Sequence, residues 1–135
     1  MSKIIVVVLT FAVCSLSLTT YLALEAGDVV EVETVDCGSG DIRRTHIWFT
    51  QQGRLLLLEA GTPANPWVQD IGCQPIVRLS GSSLDGEYTL RIRDDPASHL
   101  KIRSLMRAKY GWRDRWVALI FDTSASMLVE AIPSR

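Results

Sequence analysis

Ile4 to Leu24 carries no charged residue over 21 positions, and this run decides how much chain is left to build a domain. At ~1.5 Å per residue it makes about 30 Å of helix, the hydrocarbon thickness of a bilayer. Lys3 stands before it and Glu25 after it. Its apolar character on all faces as far as Cys14 argues against an amphipathic surface helix. A membrane anchor, a cleaved signal and a packed N-terminal helix stay open. The length favours an anchor. Ser15, Ser17, Thr19 and Thr20 dilute the second half, as in a cleaved signal. Leu24-Glu25-Ala26 is a mediocre cleavage site, with Leu where a small residue is preferred. Val13 before Cys14 argues against a lipoprotein. The positive-inside rule puts the N-terminus in the cytoplasm and the rest outside. Residues 1–27 are read as the anchor or signal segment and residues 28–135 as one domain.

The second segment is small but sufficient for a single core. Lys and Arg number 14 and Asp and Glu 15, so the net charge of −1 gives no reason to expect nucleic acid as a partner. Any grip on phosphate must be local. The cysteines at 14, 37 and 73 form no C-x-x-C pair, and His46 and His99 do not complete a ligand set, so no metal is expected. Whether Cys37 and Cys73 pair in an oxidising compartment stays open. Ser39 lies in Gly-Ser-Gly, not in a strand-to-helix nucleophile elbow, and neither histidine is placed as its base.

Val29 to Val35 alternates apolar and acidic residues, a half-exposed strand. Gly38 to Asp41 is a turn. Arg44 to Thr50 is a second strand, with Ile47 and Phe49 on one face and His46 and Trp48 on the other. Leu55 to Ala60 is a third, and its unbroken leucines suggest burial on both faces. Pro66 opens a short helix led by Trp67. Strands follow at Ile76 to Leu79 and Glu87 to Arg93, with a loose connection from Gly81 to Gly86. Asp95-Pro96 starts the main helix, Asp95 as N-cap, and Gly111 ends it. Ala97, Leu100, Ser104, Leu105 and Ala108 are its expected inner side; His99, Lys101, Arg103, Arg107 and Lys109 the wet or ligand-facing side. Trp112, Trp116 and Leu119 continue at helical spacing, and Met127 to Ile132 is the last strand. The order predicts a mainly β (α+β) chain: a small antiparallel split β-barrel with one main helix and short helical turns, preceded by the apolar helix.

Gly- and Ser-rich loops expose backbone N–H groups, and a neighbouring arginine can grip phosphate. Cys37 to Thr45 has that layout, which suggests a phosphate-bearing cofactor at the barrel edge. Arg43 and Arg44 alternate across a strand, so only one can face the site.

Gly38-Ser39-Gly40, Arg44-Thr45, Trp48-Phe49 and Trp67-Val68-Gln69-Asp70-Ile71 stand in the order and near the spacing of a known pattern. It resembles that of the deazaflavin-dependent nitroreductases, split barrels related to the FMN-binding ones. Ala108 to Arg115 resembles the K-Y-G-W-x-D-R segment of one branch. The resemblance runs from about Val29 to Pro133. It implies an oxidoreductase passing a hydride from a bound reduced deazaflavin, or alternatively FMN, to a small-molecule acceptor of the quinone or nitroaromatic type. It also implies that Gly38, Ser39, Gly40, Arg44 and Thr45 contact the cofactor tail. Asn65, Pro66 and Trp67 would flank the cofactor, and Trp48, Tyr110 and Trp112 would form the substrate wall. Related barrels often pair as homodimers. The catalytic residues are not identified. The sequence departs from the pattern at Asp36 to Asp41, which holds two acids where the family loop carries a base, and at Thr62 to Asn65, which has no Lys or Arg. The alternative is therefore a non-catalytic, membrane-tethered binding module that has lost the phosphate grip.

Overall fold

Alternating valine and acid turn β1 (Val29–Val35) into one stave of a barrel: Val30 and Val32 are fully buried while Glu31 and Glu33 reach outward. The computed structural model describes residues 2–25 and 27–135. Met1 and Ala26, the latter part of the expected cleavage site, lie outside the described residues. After α1 (Lys3–Glu25) and β1 come β2 (Ile42–Gln52), β3 (Leu55–Ala60), α2 (Pro66–Cys73), β4 (Ile76–Gly81) and β5 (Leu84–Arg93). Then α3 (Pro96–Tyr110), α4 (Trp112–Ile120) and β6 (Met127–Pro133) complete the chain.

The six strands close into an antiparallel barrel in the order β1-β2-β3-β6-β5-β4. Among the described residues closure leaves no unpaired edge strand to template association. The register places Val32 opposite Thr45, Phe49 opposite Leu58, and Leu58 opposite Val129. Side chains that share a parity therefore meet inside. Val30, Val32, Ile47, Phe49, Leu56, Leu58, Leu79 and Val129 fill the interior, and Trp67, Val68 and Ile71 of α2 plug one end. A second cluster lies outside the wall, where Trp48, Leu57 and Leu128 meet Ile102, Met106 and Tyr110 of α3. The leucine run of β3 thus feeds both clusters, as burial on both faces requires.

Two expectations are corrected. The connection from Gly81 to Gly86 is not loose. Ser82 and Ser83 take φ of 49° and 68° and make a two-residue turn, so β5 starts at Leu84. Positive φ at both central residues is the geometry whose twist matches paired strands. The inner face of α3 is also different. Ile102, Arg103, Met106 and Tyr110 are buried, whereas Leu100 is 69% exposed. Ion pairs to Glu59 and Asp114 hold Arg103 inward beside Ile102 and Met106. Trp112 and Leu119 of α4 are exposed at 52% and 79%. The expected start of α3 stands: Asp95 Oδ1 accepts from the Ser98 N–H at 2.9 Å.

α1 is long and apolar enough to cross a membrane, with mean hydropathy 2.2 over its most apolar window and none of that window buried. A signal sequence meets the same test. Its last turn is tied to the rest of the chain. Trp48 Nε1 donates to the Leu24 carbonyl at 3.3 Å, and Trp116 Nε1 donates to Thr20 Oγ1 at 3.1 Å.

Candidate functional site

The first turn of α2, the outer end of β2 and the end of α1 surround a cleft of about 530 Å³, within the ~300–1,000 Å³ typical of small-molecule sites. Leu24, Ile47, Trp48, Pro66, Trp67 and Val117 give it apolar walls; Glu25, Arg43, Arg44, Thr45, His46, Glu59, Gly61 and Asn65 supply the rest. The structure thus brings together Arg44, Thr45, Trp48, Asn65, Pro66 and Trp67 among the residues singled out from sequence. It leaves the others elsewhere. Tyr110 is buried in the wall, stacked on Trp48 at 4.2 Å between centroids. Its hydroxyl donates to the Asp28 carbonyl at 2.5 Å and accepts from the Phe49 N–H at 3.0 Å. Burial pushes its pKa well above the ordinary tyrosine value. Trp112 is on the exposed side of α4. Gly38, Ser39 and Gly40 form an exposed turn that does not line the cleft.

That turn has its N–H groups already satisfied. Gly38 and Ser39 both donate to Asp36 Oδ1, at 2.9 and 2.8 Å. Gly40 donates to the Asp36 carbonyl at 2.9 Å, and Asp41 to Ser39 Oγ at 3.2 Å. A nest of consecutive N–H groups attracts an anion, and here the anion is the chain's own carboxylate. The Ser39 and Gly38 N–H bonds hold the Asp36 pKa below its ordinary value.

The nearby bases are taken as well. Arg43 Nη2 meets Asp36 Oδ2 at 2.8 Å, and its Nε donates to Asp70 Oδ2 at 2.9 Å. Asp70 is 3% exposed and also accepts from Thr34 Oγ1 at 2.7 Å. A disulfide joins Cys37 to Cys73 beside this cluster, so the turn is bolted to the end of α2. The open question about those two thiols is thereby answered, and Cys14 is free. Freeing Arg43 would strand a buried carboxylate, at a cost of about 3–5 kcal/mol. Arg44 differs. Its side chain is 61% exposed, with Nε at 3.1 Å from Glu33 and 3.7 Å from Glu31. Exposed pairs of this kind contribute about 0–1 kcal/mol, so Arg44 can change partner. His46 lies between Glu25 at 2.7 Å and Glu31 at 3.6 Å, and the bond to Glu25 raises its pKa.

A buried ionic cluster at the cleft was not legible as a site in the sequence. Arg103 Nη1 donates to Glu59 Oε1 and Nη2 to Asp114 Oδ1, each at 2.6 Å. Burial raises the Glu59 pKa against the opposing pull of Arg103. A neighbouring cavity of about 280 Å³ shares Glu59, Gly61, Asn65 and Val117 with the cleft and adds Arg103, Phe121 and Ser126. Ser126 is 3% exposed and borders this cavity beside Glu59. One signal was available. An acid ending a doubly buried strand needs a buried base, and Arg103, on the expected wet or ligand-facing side of α3, lines that cavity.

The residues present fit one part of a flavin-type cofactor and not the other. Apolar walls and aromatic edges suit a ring. The Gly38–Gly40 turn and Arg43 do not fit a phosphate, because carboxylates of the same chain already hold them.

No protein-family model and no curated protein matches the chain. Solved structures do. An F420 reductase superposes with a TM-score of 0.60 at 15% identity, covering 85% of this chain and 93% of that one. A protein assigned as a pyridoxamine 5'-phosphate oxidase from Listeria innocua gives 0.59 at 14%, covering 84% and 89%. The heme storage protein HutZ from Vibrio cholerae gives 0.57 at 13%, covering 84% and 86%. At these identities the likeness is one of fold, and that fold is the split barrel.

Proposed function

We propose that this split barrel is a membrane-tethered module that binds a flat, largely apolar ligand in the cleft beneath α2 and does not grip a phosphate tail. One observation carries the reading: the N–H nest from Gly38 to Asp41 is filled by Asp36 and its neighbours. Its closure is reinforced by Arg43, Asp70 and the Cys37–Cys73 bridge. A disulfide also suits a domain held outside the cytoplasm, the side on which Lys3 and the positive-inside rule place it. Riboflavin, a ring without phosphate, is the first probe for the full chain in detergent. Saturable quenching of tryptophan fluorescence is expected. Gly61→Phe should remove it, since Gly61 lines the cleft with open space at its Cβ position. No saturable change with riboflavin would sink the reading.

A second reading is an oxidoreductase with a deazaflavin or FMN, reducing a quinone or nitroaromatic acceptor. The exposure of Arg44 favours it, as does the fold shared with an F420 reductase. A single exchangeable arginine suits the short tail of FMN better than a longer anionic one. Acceptor-dependent oxidation of either reduced cofactor by the full chain would support this reading. Its absence with both would remove it.

A further inference from the structure

α4 leaves large apolar side chains uncovered. Trp112, Leu119 and Ile120 are 52%, 79% and 41% exposed. Trp112, Trp116 and Leu119 stand at helical spacing and share one face. A soluble domain rarely leaves such a patch uncovered, and patches of this kind mark interaction sites.

The fold says what covers it. α4 packs against the end of α1, where Trp116 donates to Thr20 at 3.1 Å. Thr20 precedes Glu25, the end of the uncharged run, by five residues, or about 7.5 Å of helix. If Glu25 marks the membrane boundary, a spanning α1 carries Trp116 roughly 7–8 Å below it. That is the depth at which interfacial helices bury their apolar faces, ~5–10 Å. Tryptophan is enriched at this level because its ring is apolar and its N–H needs a partner. Arg115, exposed on the same helix, can reach lipid phosphates.

We propose that α4 lies in the bilayer interface and docks the barrel on the membrane. Leu24 and Val117 line the cleft, so its mouth then opens at the acyl boundary. The cleft is then accessible to molecules that partition into lipid. The inference rests on α1 crossing the bilayer, as the proposed function reads it.

The test uses the full chain in nanodiscs, on a Cys14→Ser background that leaves the disulfide intact. Spin labels are placed at Leu119→Cys and, as a second reporter on the patch, Ile120→Cys. Leu9→Cys in α1 and Arg78→Cys across the barrel are the references. Collision with oxygen reports lipid, and collision with a nickel chelate reports water. Docking requires oxygen to dominate at Leu9, Leu119 and Ile120 and nickel to dominate at Arg78. Nickel dominance at both Leu119 and Ile120 with oxygen dominance at Leu9 would overturn the docking and leave the anchor standing. Nickel dominance at Leu9 would overturn the anchor and the docking with it.

Discussion

Removing the Cys37–Cys73 bridge by Cys37→Ser with Cys73→Ser should lower stability by about 4 kcal/mol. The number follows from a sequence separation of 36. Chain-entropy scaling gives about 13 cal/mol/K for such a loop, or about 4 kcal/mol at 25 °C. Most of the loss is assigned to the unfolded state. In the native state Arg43 still holds Asp36 and Asp70 at 2.8 and 2.9 Å, which keeps the turn near α2. The assay is urea unfolding of the full chain in detergent, followed by tryptophan fluorescence. With an m-value of about 1.5 kcal/mol/M the midpoint should fall by roughly 2–3 M. Reductant should do the same to the parent and nothing to the double variant. Thiol counting supplies the control: Cys14 alone reacts before reduction, and all three cysteines after it. A midpoint change equivalent to less than about 0.5 kcal/mol would refute the reasoning, because a loop of this length cannot be opened so cheaply.

Asp36→Ala frees Nη2 of Arg43, which lines the cleft, and should raise affinity for FMN relative to riboflavin by roughly tenfold, about 1.4 kcal/mol, in parallel titrations. Arg103→Met leaves Glu59 buried without its base, and Asp114 with only the longer contact to Arg107 at 3.8 Å, and should cost about 3–5 kcal/mol in the same urea assay. Tyr110→Phe orphans the buried Phe49 N–H and should cost about 1–3 kcal/mol with the fold retained. His46 joins the barrel to Glu25 of α1 and its folded pKa is raised, so this tie is fully present below the unfolded value near ~6.5. It is lost as pH rises through the folded pKa; a fluorophore on α1 near Glu25 should gain mobility over that window, and His46→Gln should flatten the response.

Much of the barrel was legible because period-two alternation fixes which side chains face inward. β1 and β3 emerged with their observed limits, and the opposite faces of Ile47 and Trp48 were read correctly from β2 alone. The inner face of α3 was not, because hydrophobic spacing cannot see Glu59 and Asp114 from other elements pulling Arg103 inside. Site legibility split along the same line. Residues of β2 and α2 that share the cleft were grouped from their order. Glu59, Leu24 and Val117 come from separate elements, and only the folded chain brings them to that wall. The two acids flanking Gly38–Gly40 were visible as a departure from the family loop. That Asp36 itself occupies the nest required the turn's geometry.

The ratio of FMN to riboflavin affinity for the unaltered full chain tests the central claim most directly. The two ligands share one ring and differ by a phosphate, so the ratio isolates the phosphate grip. A ratio near one is predicted, since the nest and Arg43 are held by carboxylates. FMN binding tenfold or more tighter than riboflavin, a gain of about 1.4 kcal/mol from the phosphate alone, would contradict it.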